Sequence, residues 1–186
     1  MVLETPIKNG LKDGLEFTCD DDGKLLLVEP YVKGKNHGTA KQYGKEGQVI
    51  GTYTLRHGTG FDIWRQENAD QVVYVSEIHR LQDGVPHGEE WHFTSLRQEL
   101  WYERHWYMGK LHGIERIWNS RGRLRRGYPK FYVLDRAVSK HTYLKWALTD
   151  KTLPRFREKD NWPRRIFPSQ IQRLISSRTK SKMARR

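Results

Sequence analysis

Three histidines recur at equivalent positions of a repeated pattern, each before a glycine, His37-Gly38, His87-Gly88 and His112-Gly113, and they are the first residues to test for chemistry. Imidazoles ligate zinc and move protons near neutral pH, so a convergent trio would make a metal centre or an acid/base site. Other candidates are weaker. Asp20-Asp-Asp22-Gly23 puts a glycine at the sixth position of a calcium-type loop and Glu29 at the twelfth, but Thr18 holds the first position and no helices flank it. A solvated turn capped by aspartate side chains is the simpler reading. The adjacent carboxylates Glu89 and Glu90 would point to opposite faces of a strand and so make no catalytic dyad. Neither Gly-x-Ser-x-Gly, Gly-x-x-x-x-Gly-Lys-Ser/Thr nor His-Glu-x-x-His occurs. Cys19 is the single cysteine, which rules out an internal disulfide and a cysteine-based zinc site.

Whether the histidines converge depends on the elements that carry them. The clearest stretch is Trp101 to Leu124, WYERHWYMGKLHGIERIWNSRGRL: an aromatic-rich extended run, a Gly109-to-Gly113 connection, a second run from Ile114 to Trp118, and a turn at Asn119-Ser-Arg-Gly122. This pattern predicts strand, tip, strand and turn, with the tip glycines at positive φ. Its first glycine recurs at Gly10, Gly34, Gly58, Gly84 and Gly109, at spacings of 24, 24, 26 and 25. The second recurs at Gly14, Gly38, Gly88 and Gly113, with a contracted Gly58-Thr-Gly60 in the third copy. Such regularity marks an array of supersecondary units. Each histidine then lies at its own tip, two strands from the next, or about 10 Å at ~4.8 Å per strand. That is too far to share one zinc, and a structural role, the imidazole bonding turn backbone, accounts for all three. No metal, cofactor or catalytic residue is expected, and the chain is read as a non-enzyme.

The pattern aromatic-x-x-Gly-x-x-His-Gly-x-x-x-x-aromatic, seen in Tyr31 to Tyr43 and Trp106 to Trp118, resembles the MORN repeat, and more closely its bacterial variant with His-Gly at the tip. Five copies cover residues 1–127. Departures are Asp13 in place of histidine, the short third tip, Leu81 where an aromatic belongs, and irregular second turns. The resemblance implies a mainly β fold: an elongated single-layer antiparallel sheet of successive hairpins that serves as a binding or scaffolding surface. Some bacterial members are labelled antitoxin components of toxin–antitoxin pairs, so a toxin is one partner the resemblance implies.

The chain has 7 Trp, 9 Tyr and 6 Phe among 186 residues, so apolar burial must come largely from rings, which suits a one-layer sheet. Its net charge is +12, yet residues 1–127 hold 18 basic and 18 acidic side chains; the excess sits in residues 128–186, with 16 basic and 4 acidic. In residues 128–177, Tyr128 to Tyr132 could add a strand. Ser139 reads as the N-cap of a helix over about 140–150, with Val138 and Tyr143 as a staple, and Phe167, Ile171, Leu174 and Ile175 share one face of a second short helix begun by Pro168. These helices could cap the open end of the sheet. Residues 178–186, RTKSKMARR, read as a disordered basic tail. No run of 18 apolar residues and no apolar leader segment is present, which makes a cytoplasmic location the expectation.

Three readings of function follow. The sheet could bind a protein partner through Tyr43, Trp64, Trp91, Trp101, Trp106 and Trp118, ring types enriched at interface hot spots. The basic segment could instead touch nucleic acid or anionic lipid through Arg164, Arg165, Arg178, Lys180, Lys182, Arg185 and Arg186, with Trp162 and Phe167 beside it. A third reading is an adaptor that assembles end to end through its sheet edges. No small-molecule substrate is expected.

Overall fold

The computed structural model describes residues 3–95, 98–164, 166–176 and 179–180. Its strands join almost wholly in chain order in one long, open antiparallel sheet, from Leu3–Glu4 at one edge to Arg136–Val138 at the other. The longest members lie in the middle: Val49–Arg56, Thr59–Glu67, Val72–Gln82, Val85–Phe93 and Leu100–Tyr107. This is the mainly β hairpin array that the repeat predicts.

At every tip the two central residues take positive φ, the signature of a type I′ turn: Asn9-Gly10, Lys33-Gly34, His57-Gly58, Asp83-Gly84 and Met108-Gly109. A sixth tip, Leu134-Asp135 at φ 48° and 69°, follows the fifth at the same interval and joins Lys130–Val133 to Arg136–Val138. The hairpin array therefore runs past residue 127, where the sequence reading ended it. That copy was hidden because Asp135 replaces the glycine; Asp is among the few residues that tolerate the left-handed conformation.

Consecutive tips are tied to one another by backbone. Gly34 N–H donates to Lys12 O (2.8 Å), Gly58 to Asn36 O (2.7 Å), Gly84 to Gly58 O (2.9 Å), Gly109 to Pro86 O (2.8 Å) and Asp135 to Leu111 O (2.8 Å). A second set of bonds explains the tip histidines. His37 Nδ1 accepts from His57 N (3.1 Å), His87 Nδ1 from Met108 N (3.5 Å) and His112 Nδ1 from Leu134 N (3.3 Å). Where histidine is missing, Asp13 Oδ2 accepts from Lys33 N and Thr59 Oγ1 from Asp83 N. Each of these side chains supplies an acceptor to the next turn along, so every tip histidine ties its hairpin to its neighbour and the three lie at separate tips. The opposite turns use an Asx pattern: Asp20 Oδ1 accepts from Asp22 N and Lys24 N, as Asn119 Oδ1 does from Arg121 N and Arg123 N. Gly23, Gly47 and Gly122 take positive φ in these turns, and in the third and fourth copies, which have no such glycine, Gln71 and Gln98 take it instead.

The C-terminal segment departs from the simple end cap. Helix α1 (Lys140–Trp146), N-capped by Ser139 Oγ accepting from Thr142 N, does pack on the last hairpin, where Tyr143 and Leu153 join Ile114, Phe131 and Val138. Beyond it the chain folds back over the middle of the sheet. Helix α2 (Ser169–Ser176) sets Ile171 and Ile175 into a cluster with Ile63, Val75, Ile78, Trp91, Phe93, Leu100 and Trp118, because its apolar side must be buried and those strands present the matching surface. Thr179–Lys180 pairs with Val72–Val73 as a further strand, so this part of the predicted disordered tail is ordered, and residues 178 and 181–186 lie outside the described residues.

Candidate functional site

The two faces of the central sheet have different fates, and strand register decides which residue goes where. Glu77 lies opposite Trp64 and His92, and His92 opposite Tyr102; His79 lies opposite Asp62 and Glu90, and Glu90 opposite Arg104. A register shift between Val75 and Glu77 sets this alternation. The positions between them, Ile63, Ile78, Trp91, Glu103 and Arg116, point the other way, under the C-terminal segment.

On the covered face the fit is tight. Glu103 and Arg116 form a buried pair at 2.6 Å, Trp91 Nε1 donates to Glu103 Oε2 (2.9 Å), and Asn161 anchors the returning chain through Arg116 Nε (3.1 Å) and Trp118 Nε1 (2.7 Å). Trp91 also meets Phe167 edge-on at 5.5 Å. Trp91 and Trp118 are thus core residues, 5% and 2% exposed, which corrects their placement on a binding surface. The sequence showed only that they were aromatic; the segment that buries them arrives from 40 or more residues away.

The uncovered face carries a polar band framed by rings. Glu90, nearly inaccessible, receives Arg104 Nε (2.8 Å) and Trp106 Nε1 (2.5 Å) on Oε2 and faces His92 Nε2 (2.7 Å) on Oε1. Glu77 Oε2 is 3.0 Å from His79 Nε2 and 3.7 Å from His92 Nδ1. Farther along, Tyr53 Oη and Asn36 Nδ2 donate to Glu29, and Trp64 Nε1 to Asp62. Burial pushes Asp62 up to about 6, against the opposing bond from Trp64. Burial also works against charge on His79, but its bonds to Glu77 and Glu90 win and hold it up at about 9. Glu90 is held well below the usual carboxylate range: burial raises it, and the His79, His92, Arg104 and Trp106 donors more than offset that.

Of the other candidate residues, Trp64 and Trp101 are exposed, and Trp106 is half-buried beneath the Arg104 guanidinium, 4.6 Å from its ring. Trp101 stacks on Tyr102 and meets His92 at 5.6 Å. Tyr43 and Trp64 share a cleft of about 590 Å³ with Leu26 and Ile50, rimmed by Lys24, Lys45 and Glu67. Arg164 forms a two-nitrogen bond to Glu99 and, with Arg121 and Trp162, borders a cleft of about 350 Å³. Arg165, Arg178, Lys182, Arg185 and Arg186 lie outside the described residues, and Lys180 pairs with Val72 in the sheet.

Sequence reasoning missed Glu77, His79, Glu90 and His92. Their signal was two Glu-x-His triplets, Glu77-Ile-His79 and Glu90-Trp-His92, on consecutive strands; only the register shows that each glutamate faces a histidine. No family model and no curated protein matches the chain. Among the described residues no helix is long and apolar enough to cross a membrane.

Proposed function

We propose that this chain is a non-catalytic β-repeat scaffold that binds a protein partner on its uncovered sheet face. One observation carries the reading: the chain seals one face of its central sheet with its own C-terminal segment and leaves the other with Trp64, Trp101, Tyr102 and Trp106 set around a fixed polar band. Trp64, Tyr102 and Trp106 are held by bonds at their polar edges and Trp101 by stacking on Tyr102, so these rings lose little freedom on binding, which suits interface anchors. A toxin neutralised by the scaffold is the form of partner that the repeat's resemblance implies. The test is co-purification from the source cell, followed by titration of the recovered partner. Trp64→Ala and Trp101→Ala, shown folded by circular dichroism, should weaken it by roughly 30-fold at whichever ring is a buried anchor. Full affinity in both folded variants and in Trp106→Ala would defeat the proposal.

A second reading has its own observation. Trp162 is 65% exposed beside Arg121 and Arg164, and the exposed Arg121, Arg123, Arg125 and Arg126 form no ion pair with a described residue. Arginines beside a free ring suit a single-stranded polyanion, with stacking worth about 1–3 kcal/mol per base. Binding of that kind falls steeply with salt, whereas binding through buried rings does not, so a salt titration separates the two.

A further inference from the structure

Glu77, His79, Glu90 and His92 occupy a two-by-two block of the uncovered face, each glutamate beside one histidine along its strand and opposite the other across the ladder. We propose that His79, His92 and Glu77 form a binding site for a divalent ion of the zinc class, with Glu90 as the carboxylate that orients both imidazoles.

The geometry carries this in three steps. First, the three side chains offer donor atoms that all lie within 4.8 Å of one another. In a tetrahedral zinc site with bonds of about 2.0–2.2 Å, ligand atoms are separated by roughly 3.3–3.5 Å. Glu77 Oε2 lies 3.0 Å from His79 Nε2 and 3.7 Å from His92 Nδ1, on either side of that value, and the two imidazoles need only draw together from within 4.8 Å to admit the ion.

Second, the remaining nitrogen of each ring faces a carboxylate. His92 Nε2 is 2.7 Å from Glu90 Oε1 and His79 Nδ1 is 3.8 Å from Glu90 Oε2. Metal-bound histidines commonly give their second N–H to such a group, which fixes the tautomer and makes the ring a better ligand. Glu90 is itself immobilised by Arg104 and Trp106. Third, the ligand side chains are 33%, 23% and 15% exposed while Glu90 is 3% exposed. The three ligand side chains are therefore partly open to solvent, from which a water could supply a fourth ligand, while the orienting carboxylate is buried. Two imidazoles and one carboxylate favour a zinc-class ion over magnesium or calcium, which take oxygen ligands.

Without a metal the same four side chains face one another as ion pairs. The full chain, stripped with a chelator, is titrated with Zn2+ by calorimetry and with Co2+ by visible absorption, with Mg2+ as control. The expected result is one equivalent of Zn2+, cobalt bands of a four-coordinate centre, and no heat from Mg2+. Glu77→Gln and His79→Asn should abolish stoichiometric binding, and Glu90→Gln should weaken it about 10- to 100-fold, as loss of an outer-shell partner does. Folding of each variant is checked by circular dichroism. Should the variants not fold, X-ray absorption of the zinc-loaded native chain decides: two imidazoles in the shell support the site, and a shell without them overturns it. Absence of one-to-one Zn2+ and Co2+ binding by the native chain, equal binding of Mg2+, or unchanged affinity in folded Glu77→Gln and His79→Asn would each overturn it too.

Discussion

Replacing Gly113 with alanine should destabilise the array far more than the same change at Gly109, although both glycines sit at one hairpin tip. Gly113 has φ +143°, and a Cβ there would come within 2.6 Å of His105 Cβ and 2.8 Å of Pro154 Cγ. Neither neighbour yields easily: His105 Nδ1 is tied to Ile114 O at 2.8 Å, and the Pro154 carbonyl receives Tyr143 Oη at 2.6 Å. The backbone conformation costs a non-glycine residue about 1–3 kcal/mol, and forcing a methyl into a packed site a further ~1–3 kcal/mol. The total, about 2–6 kcal/mol, corresponds to a fall of roughly 5–20 °C in melting temperature for a chain of this size. Gly109, at φ +79°, would meet only Val85 Cβ at 3.7 Å, an ordinary contact. Its alanine variant should lose about 1 kcal/mol and Gly109→Asn almost nothing, since Asn tolerates positive φ and Asp135 already fills the equivalent place in the sixth tip. Urea and thermal unfolding of the three variants test the ranking. A Gly113→Ala protein that melts within about 2 °C of the native chain would refute the tip geometry.

Glu103→Ala should cost about 3–5 kcal/mol, because it leaves the Arg116 guanidinium, 2% exposed, without its buried partner, and denaturant midpoints will show it. The last tip should loosen in mild acid. His112 Nδ1 accepts from Leu134 N while Nε2 faces Thr152 Oγ1, with Asp150 3.7 Å away and the Tyr107 ring 5.4 Å away. Burial holds His112 below its ordinary 6.5, outweighing the pull of Asp150. A depressed value means that the neutral form is favoured in the fold, so its contribution is complete above pH 6.5 and is lost as pH falls through the folded value. Melting temperature followed between pH 7.5 and 5 should drop, and His112→Gln should flatten that part of the curve. Finally, Ile171→Asp should release the segment over the central sheet and expose Trp91 and Trp118, visible as a red shift in tryptophan fluorescence; no shift would mean that α2 does not seal that face.

The hairpins were legible in the sequence because a type I′ tip needs positive φ at fixed points and glycine meets that need cheaply, so glycines recur at the 24- to 26-residue period of the array. The same logic explains what it hid. Leu134-Asp135 makes an equally good tip with no glycine to announce it, and Thr59 and Asp13 do the work of a tip histidine with different side chains. Helix α1 was readable from Ser139 and its staple, since capping is local. Where α2 comes to rest was not, because an amphipathic helix states that one side will be buried and not against what. That long-range contact decided which tryptophans are core and which stay open, turning Trp91 and Trp118 inward and leaving Trp64 and Trp101 free. Likewise, Glu77, His79, Glu90 and His92 become one cluster only through the pairing register of two strands and the shift beside Ser76, and a slip of one residue would send them to opposite faces.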